Sequence, residues 1–276
     1  MLGLGLIGGS VARAATRSGM EVRAWTAAGR GPRDAVHHGI EAASSLRDAV
    51  AGADLVILAA PPIASLALVD ELAGAGALSR EAVVTDVVST KAAIVERARA
   101  AGLRFVGGHP LAGRETSGYG ASDPELFRDR PWVIVPPVPP DDDAEARVAT
   151  LAAACGARVV RMTAADHDRA VATISHLPLL LAAALAETAA ADTDWAGART
   201  LAAGGWASMT RLARGDPEMG AGILVTNADE VAARLRGLAT VLDGWAADLA
   251  APDAAERLRA RLESARAIAA DGPGDS

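Results

Sequence analysis

The sequence predicts an α/β fold, in which a doubly wound, mostly parallel sheet domain is followed by an all-helical C-terminal domain. Three observations lead there. Short β-branched runs alternate with helical stretches through the first half of the chain. Those runs are continuously apolar rather than alternating, as strands covered on both faces are. After Pro136-Pro137-Val138-Pro139-Pro140 the composition turns to Ala, Leu and Arg, with almost no strand signal. At 276 residues the chain has the length of about two domains. The expected division is 1–138 for the sheet and 141–272 for the helices, with Asp141-Asp142-Asp143 as a helix start.

Taken in order, the strand candidates are Val22–Trp25, Asp54–Ala59, Ala82–Asp86, Leu103–Val106 and Trp132–Val135. Helical stretches fall between several of them, at Ser10–Ser18, Ser45–Ala51, Ile63–Ala73 and Lys91–Ala101. In the second half, helices are expected over 143–155, 164–190, 194–213, 217–249 and 253–270, with Pro178 kinking or breaking the second. Arg158–Met162 is the one strand candidate there.

Composition narrows the function. The net charge is −7, which argues against nucleic acid as a bulk electrostatic partner and requires any anionic substrate to meet a local basic site. One cysteine, Cys155, excludes a disulfide framework. The apolar run Leu177–Ala186 is too short for a bilayer and contains Pro178, and the first fifteen residues lack the basic start of a signal peptide. The expectation is a cytoplasmic protein without a membrane partner.

Gly3-Leu4-Gly5-Leu6-Ile7-Gly8 is a G-x-G-x-x-G turn opening a helix. In a dinucleotide site Gly3 permits the tight turn, Gly5 admits the pyrophosphate and Gly8 lets helix and strand approach, with Leu6 and Ile7 at the helix start. Repeated β-α units after it make the reading Rossmann-like. Only Met1 and Leu2 precede the turn, fewer than the ~5 residues usual for a central strand, so neighbouring backbone groups are expected to go unpaired. Counting ~20 residues on reaches Trp25 and Thr26 rather than a carboxylate, and Arg30 and Arg33 follow. That pattern leans slightly to NADP over NAD. Pro61, after the strand at 54–59, is a further cofactor candidate.

Asp86-Val87-Val88-Ser89-Thr90-Lys91 lies where a buried strand yields to a helix, at the ligand-facing end of such a sheet. Ser89 is either a site residue or a helix N-cap. Lys91 is the only lysine in a chain otherwise reliant on arginine, which suggests a place needing a compact ammonium. His109, just past a strand in Gly107-Gly108-His109-Pro110, is positioned to take a proton during hydride transfer.

These segments together resemble the prephenate/arogenate dehydrogenase family of tyrosine biosynthesis. The matching pieces are Gly-Leu-Gly-Leu-Ile-Gly-Gly-Ser at 3–10, Asp-Val-Val-Ser-Thr-Lys at 86–91 and Gly-His-Pro-Leu-Ala-Gly-Arg-Glu at 108–115. Further on come His167-Asp168, Ser175-His176-Leu177-Pro178, Thr210-Arg211 and Asp216-Pro217-Glu218. The resemblance implies NAD(P)-dependent oxidative decarboxylation of prephenate to 4-hydroxyphenylpyruvate. His109 and Ser89 are then the catalytic pair, and Arg211, Ser175, His176, Lys91 and Glu115 contact substrate. It also implies a homodimer through the helical domain.

His167 and His176 stand nine positions apart, about 900° around a regular helix, so both cannot face one cleft. Ser175 is therefore favoured over His176, and the role of His167 stays open. Relatives often carry a histidine where Leu179 stands and a tryptophan where Gly220 stands, which leaves prephenate against arogenate undecided. Two other readings are a different two-domain NAD(P) enzyme, such as a β-hydroxyacid dehydrogenase or imine reductase, and a non-catalytic dinucleotide-binding protein. The first usually needs a catalytic group such as lysine in the second domain, and Lys91 lies in the first.

Overall fold

The computed structural model describes residues 1–114 and 116–271, with the side chain of Arg30 outside that description. Met1–Glu230 form one compact unit and the chain from Val231 onward a second. The first unit opens with α1 (Leu6–Arg17), whose Val11, Ala12, Ala14 and Ala15 share a buried cluster with Ile57, Val83 and Val106. β1 (Val22–Ala24) is followed by α2 (Arg30–Ala35) and pairs in parallel with β2 (Ile40–Ala42). Then come α3 (Leu46–Val50), β3 (Leu55–Leu58), α4 (Pro62–Ala75), β4 (Val83–Asp86), α5 (Ala92–Ala100) and β5 (Phe105–Pro110). β6 (Pro131–Val135), α6 (Asp142–Ala154) and β7 (Arg158–Arg161) complete the sheet in the order β3-β4-β5-β6-β7. Every pairing is parallel except β5 with β6.

The short start of the chain is fully paired at Leu2, contrary to expectation. Leu2 bridges Trp25 on one side and Leu58 on the other. Its amide donates to Ile57 O at 2.8 Å and its carbonyl accepts from Ala59 N at 2.7 Å, while Gly3 N reaches Trp25 O at 2.9 Å. Met1 joins the same ladder, its carbonyl accepting from Trp25 N at 2.9 Å, so Met1 and Leu2 occupy the central strand position, and the lateral order β2-β1-Leu2-β3-β4-β5 is that of a doubly wound nucleotide-binding sheet.

Three boundaries differ from the sequence reading. β2 has no apolar run to announce it, since Glu41 and Ala42 are exposed. β5 runs on to Pro110 because it leaves β4 after Val106 and pairs antiparallel with β6, so His109 sits within a strand opposite Val133. The sheet continues past the expected limit at 138, since α6 is a crossover that returns β7 alongside β6.

The rest of the first unit is helical. α7 (Ala164–Val171), a π turn (Ala172–His176) and α8 (Leu177–Ala190) form one continuous run. Pro178 explains the π turn: its ring displaces the carbonyl four residues back and removes one hydrogen bond, and the widened turn absorbs both without ending the helix. This 27-residue run is long and apolar enough to cross a membrane by length and composition, with 22% of its apolar window buried. The single helix expected over 194–213 is instead α9 (Trp195–Ala198), a 3₁₀ turn, α10 (Gly204–Met209) and a second 3₁₀ turn, Arg211–Arg214. α11 (Pro217–Thr226) and α12 (Ala228–Leu249) are separated at Asn227. In the second unit α13 (Ala254–Ala270) is tied to α12 by Arg257 and Arg261, which both reach Asp248. Val241, Leu242, Leu262 and Ile268 are exposed there.

Candidate active site

The glycine turn is built from backbone. Gly3 holds φ at +100°, and a Cβ there would lie 2.4 Å from Ala59 O. A Cβ on Gly8 would lie 2.5 Å from Gly3 O, which is how closely α1 approaches the strand level. At Gly5, the α1 N-cap, a Cβ would meet nothing within 4 Å. The first amides of α1, at Leu6 and Ile7, therefore face an open cradle at a helix N-terminus, with no acidic residue in the first turn to oppose an anion. A pyrophosphate fits this cradle. Pro61 begins α4 in the same loop as Ala59. Thr26 follows β1, and its Oγ1 accepts from Gly29 N at 3.0 Å. The Arg33 guanidinium lies back against Gly29.

A second site lies at the carboxyl ends of β4 and β5, and it is built from side chains. Asp86 and Lys91 are fully buried and paired. They take over the sheet hydrogen bonds where β5 turns away: Gly108 N donates to Asp86 Oδ1 at 3.0 Å, and Lys91 Nζ donates to Gly108 O at 2.8 Å. Burial raises the Asp86 carboxyl and lowers the Lys91 ammonium, and each charge opposes the other's shift. Lys91, expected to contact substrate, is instead fully buried and paired with Asp86. Its ammonium is consumed inside the protein, bracing the residue before His109.

His109 is buried and forms a hydrogen-bonded chain with α7. Its Nδ1 lies 2.8 Å from His167 Nε2, and His167 Nδ1 lies 2.7 Å from Asp168 Oδ1. Asp168 also accepts from the amides of Lys91 and Ala92, at 2.7 and 2.8 Å. It therefore caps α5 from another helix, the task Ser89 might have had by sequence alone. An ionised carboxylate only accepts, so His167 carries its proton on Nδ1 and offers Nε2 as acceptor. His109 then donates from Nδ1 and keeps a lone pair on Nε2. Burial, then the proximity of His167, Lys91 and His176, pushes the His109 pKa well below its usual 6.5.

His176 completes the cluster, and here the expected ranking reverses. Ser175 is exposed, whereas His176 is buried. The reason is the π turn: i→i+5 bonding rotates each residue by less than an α-helix does, so His167 and His176 come round to the same side. Asn227 Nδ2 donates to Asp168 O at 2.8 Å and to His176 Nδ1 at 3.2 Å. The His176 proton is then on Nε2, a buried donor without a partner among the described residues. Burial lowers the His176 pKa to about 4.

The other sequence candidates are less central. Ser89 is half-buried between β4 and α5, next to Thr90, whose hydroxyl meets Thr226 at 2.8 Å. Arg211 is exposed in the second 3₁₀ turn. Glu115 and the Arg30 side chain lie outside the described residues. Leu179 and Gly220, the two departures noted above, adjoin each other, with 3.7 Å from a Gly220 Cβ to Leu179 Cδ2. Sequence reasoning missed Asn227, which no motif marks, and left His167 undecided although the adjacent His167-Asp168 pair was visible.

The prephenate dehydrogenase nucleotide-binding domain matches residues 12–161, and the prephenate dehydrogenase dimerization domain matches residues 163–263. The chain belongs to the prephenate dehydrogenase family. The two matches meet after β7 rather than at the proline cluster. A prephenate dehydrogenase of Bacillus subtilis (strain 168) is 33% identical over 239 residues, covering 84% of this chain and 64% of the relative, so the chain spans less than two thirds of that protein's length. The crystal structure of prephenate dehydrogenase from A. aeolicus, in complex with hydroxyphenyl propionate and NAD+, is similar with a TM-score of 0.89 and 29% identity, covering 98% of this chain and 96% of that one. Synechocystis arogenate dehydrogenase gives a TM-score of 0.79 at 30% identity, covering 97% and 98%.

Proposed function

We propose that this protein is an NAD(P)-dependent prephenate dehydrogenase, converting prephenate to 4-hydroxyphenylpyruvate and CO2. The observation that carries the reading is His109: a buried, neutral imidazole whose Nε2 lone pair is fixed at the carboxyl end of β5. Gly3, Gly5, Leu6, Ile7 and Gly8 would hold the pyrophosphate, with Pro61 beside them and Thr26 at the ribose. When bound, the nicotinamide ring supplies the acceptor for the hydride that leaves C4. His109 accepts the proton of the 4-hydroxyl as the O–H pair becomes a carbonyl bond. Loss of CO2 then sends an electron pair through the ring to that oxygen, which takes its proton back from His109. Ser89 orients the hydroxyl, and Arg211 binds a substrate carboxylate. His176, through an Nε2–H that has no partner among the described residues, is a substrate donor in preference to Ser175.

The absence of a carboxylate after β1, with Arg33 folded against that turn, favours NADP+ at least as strongly as NAD+. The uncovered apolar run of α7 and α8 supports a homodimer through the helical domain rather than a membrane contact, with the protein cytoplasmic. The likeness to Synechocystis arogenate dehydrogenase keeps arogenate as a second substrate reading. Turnover of prephenate and of arogenate, each with NAD+ and NADP+, tests the assignment: 4-hydroxyphenylpyruvate and CO2 should form in equal amounts from prephenate. Turnover of arogenate alone favours the second reading, and turnover of neither rejects both.

A further inference from the structure

Within the reaction proposed above, the hydroxyl proton has to be held while the carbonyl exists and then returned. His109 by itself is poorly suited to hold it. It is buried, and its cationic form faces His167, His176 and Lys91, with no carboxylate in contact among the described residues. Its Nδ1, however, is already hydrogen-bonded to His167 Nε2, and behind His167 stands Asp168. Asp168 is itself held by the amides of Lys91 and Ala92, and Asn227 fixes its backbone carbonyl. Both bonds in this chain are short, and they join β5 to the adjacent His167-Asp168 pair of α7.

We propose that His109, His167 and Asp168 form a two-histidine proton relay. His109 Nε2 takes the substrate proton while His109 Nδ1 passes its own proton to His167 Nε2. His109 is then neutral, and the positive charge rests on His167 against the Asp168 carboxylate. When the ring aromatises, the two transfers reverse: His167 Nε2 returns a proton to His109 Nδ1, and His109 Nε2 returns one to the substrate oxygen. No proton is gained or lost over the cycle. His167 is accordingly a positioning residue that also stores charge, and Asp168 has two duties, since it caps the helix that follows the Ser89 loop.

The groups facing the relay are Lys91 and Asp86 from β4 and the α5 start, His176 from the π turn, and Asn227 after α11. A role limited to orienting His109 makes a different prediction from a relay, because glutamine can place an acceptor oxygen near the position of a histidine Nε2 yet cannot take up a proton.

The experiment compares wild type, His167→Gln, His167→Leu and His109→Asn in the full-length protein. Cofactor affinity and thermal midpoint are measured alongside kcat and KM, and the histidine tautomers of the cofactor-free protein are read by ¹⁵N NMR. The relay predicts that wild-type His109 carries its proton on Nδ1. In His167→Gln the tautomer, the cofactor Kd and the KM should be kept while kcat falls by about 10²-fold or more, the range for proton-transfer groups. His167→Leu should lose the tautomer preference as well. Full kcat in His167→Gln, or a wild-type His109 protonated on Nε2, overturns the relay. Wild-type failure to turn over prephenate or arogenate rejects the functional reading instead, and the tautomer still reports on the relay in that case.

Discussion

The two halves of the site are made in opposite ways. The dinucleotide cradle is backbone: six consecutive residues, three of them glycines that matter by lacking a side chain. The histidine cluster is side chain: His109, His167, His176, Lys91, Asp168 and Asn227 come from β5, the α5 start, α7, the π turn and the residue after α11. The cradle is local, so a substitution in it acts on its own turn. The cluster is convergent, and each member is held by a bond to another segment. Loss of one member therefore shifts its neighbours.

The largest effect expected from that contrast is at Lys91. Lys91→Met leaves Asp86 buried without its counter-charge and Gly108 O unpaired, a class of change that costs about 3–5 kcal/mol. Thermal unfolding should show a midpoint many degrees lower. The double variant Lys91→Met with Asp86→Leu should recover part of the loss, and no recovery would mean that the pair is not the reason.

The cradle divides differently. Gly3→Ala should harm folding and cofactor binding together, since its Cβ has no room beside Ala59 O. Gly5→Ala should keep the wild-type midpoint, because its Cβ meets open space, and yet weaken cofactor binding by at least about tenfold, or ~1.4 kcal/mol. Equal midpoints and equal cofactor affinities for Gly5→Ala and wild type would remove Gly5 from the pyrophosphate site.

Acid should act on the cluster before the cradle. His176 and His109 have folded pKa values below the unfolded 6.5, that of His176 at about 4. The unfolded chain therefore binds more protons in that window. Their contribution to stability is complete above pH 6.5 and is lost as pH falls toward about 4 for His176. Midpoints measured across this range should decline, and His176→Gln should flatten the decline. At the small end, burial raises the Cys155 thiol to about 12, so a thiol reagent should leave the native protein unmodified at neutral pH and react only on unfolding.

Legibility in the sequence follows the same line. The glycine turn, the parallel strands and the helical second half could be read because their signals are consecutive or periodic. Met1 and Leu2 as the central strand could not, since their pairing depends on Trp25 and Leu58 arriving on either side. The single lysine stands out in the sequence, but its ammonium serves a strand that changes partners, which no local pattern records. His167 and His176 were misjudged by assuming an unbroken α-helix. Pro178 had signalled a disturbance, and its form, a π turn, is what brings both imidazoles to His109. Asn227 had no signal, because its task is defined only by the two groups it joins.

The claim on which the rest depends is that His109 acts on the barrier and the cradle on binding. Cofactor titration and single-turnover reduction of NAD(P)+ by prephenate, run in parallel on wild type and His109→Asn, test it directly. Cofactor affinity should be unchanged, while the rate of reduction falls by about 10²–10⁴. Reduction at the wild-type rate in His109→Asn, or a loss confined to cofactor affinity, would contradict the account.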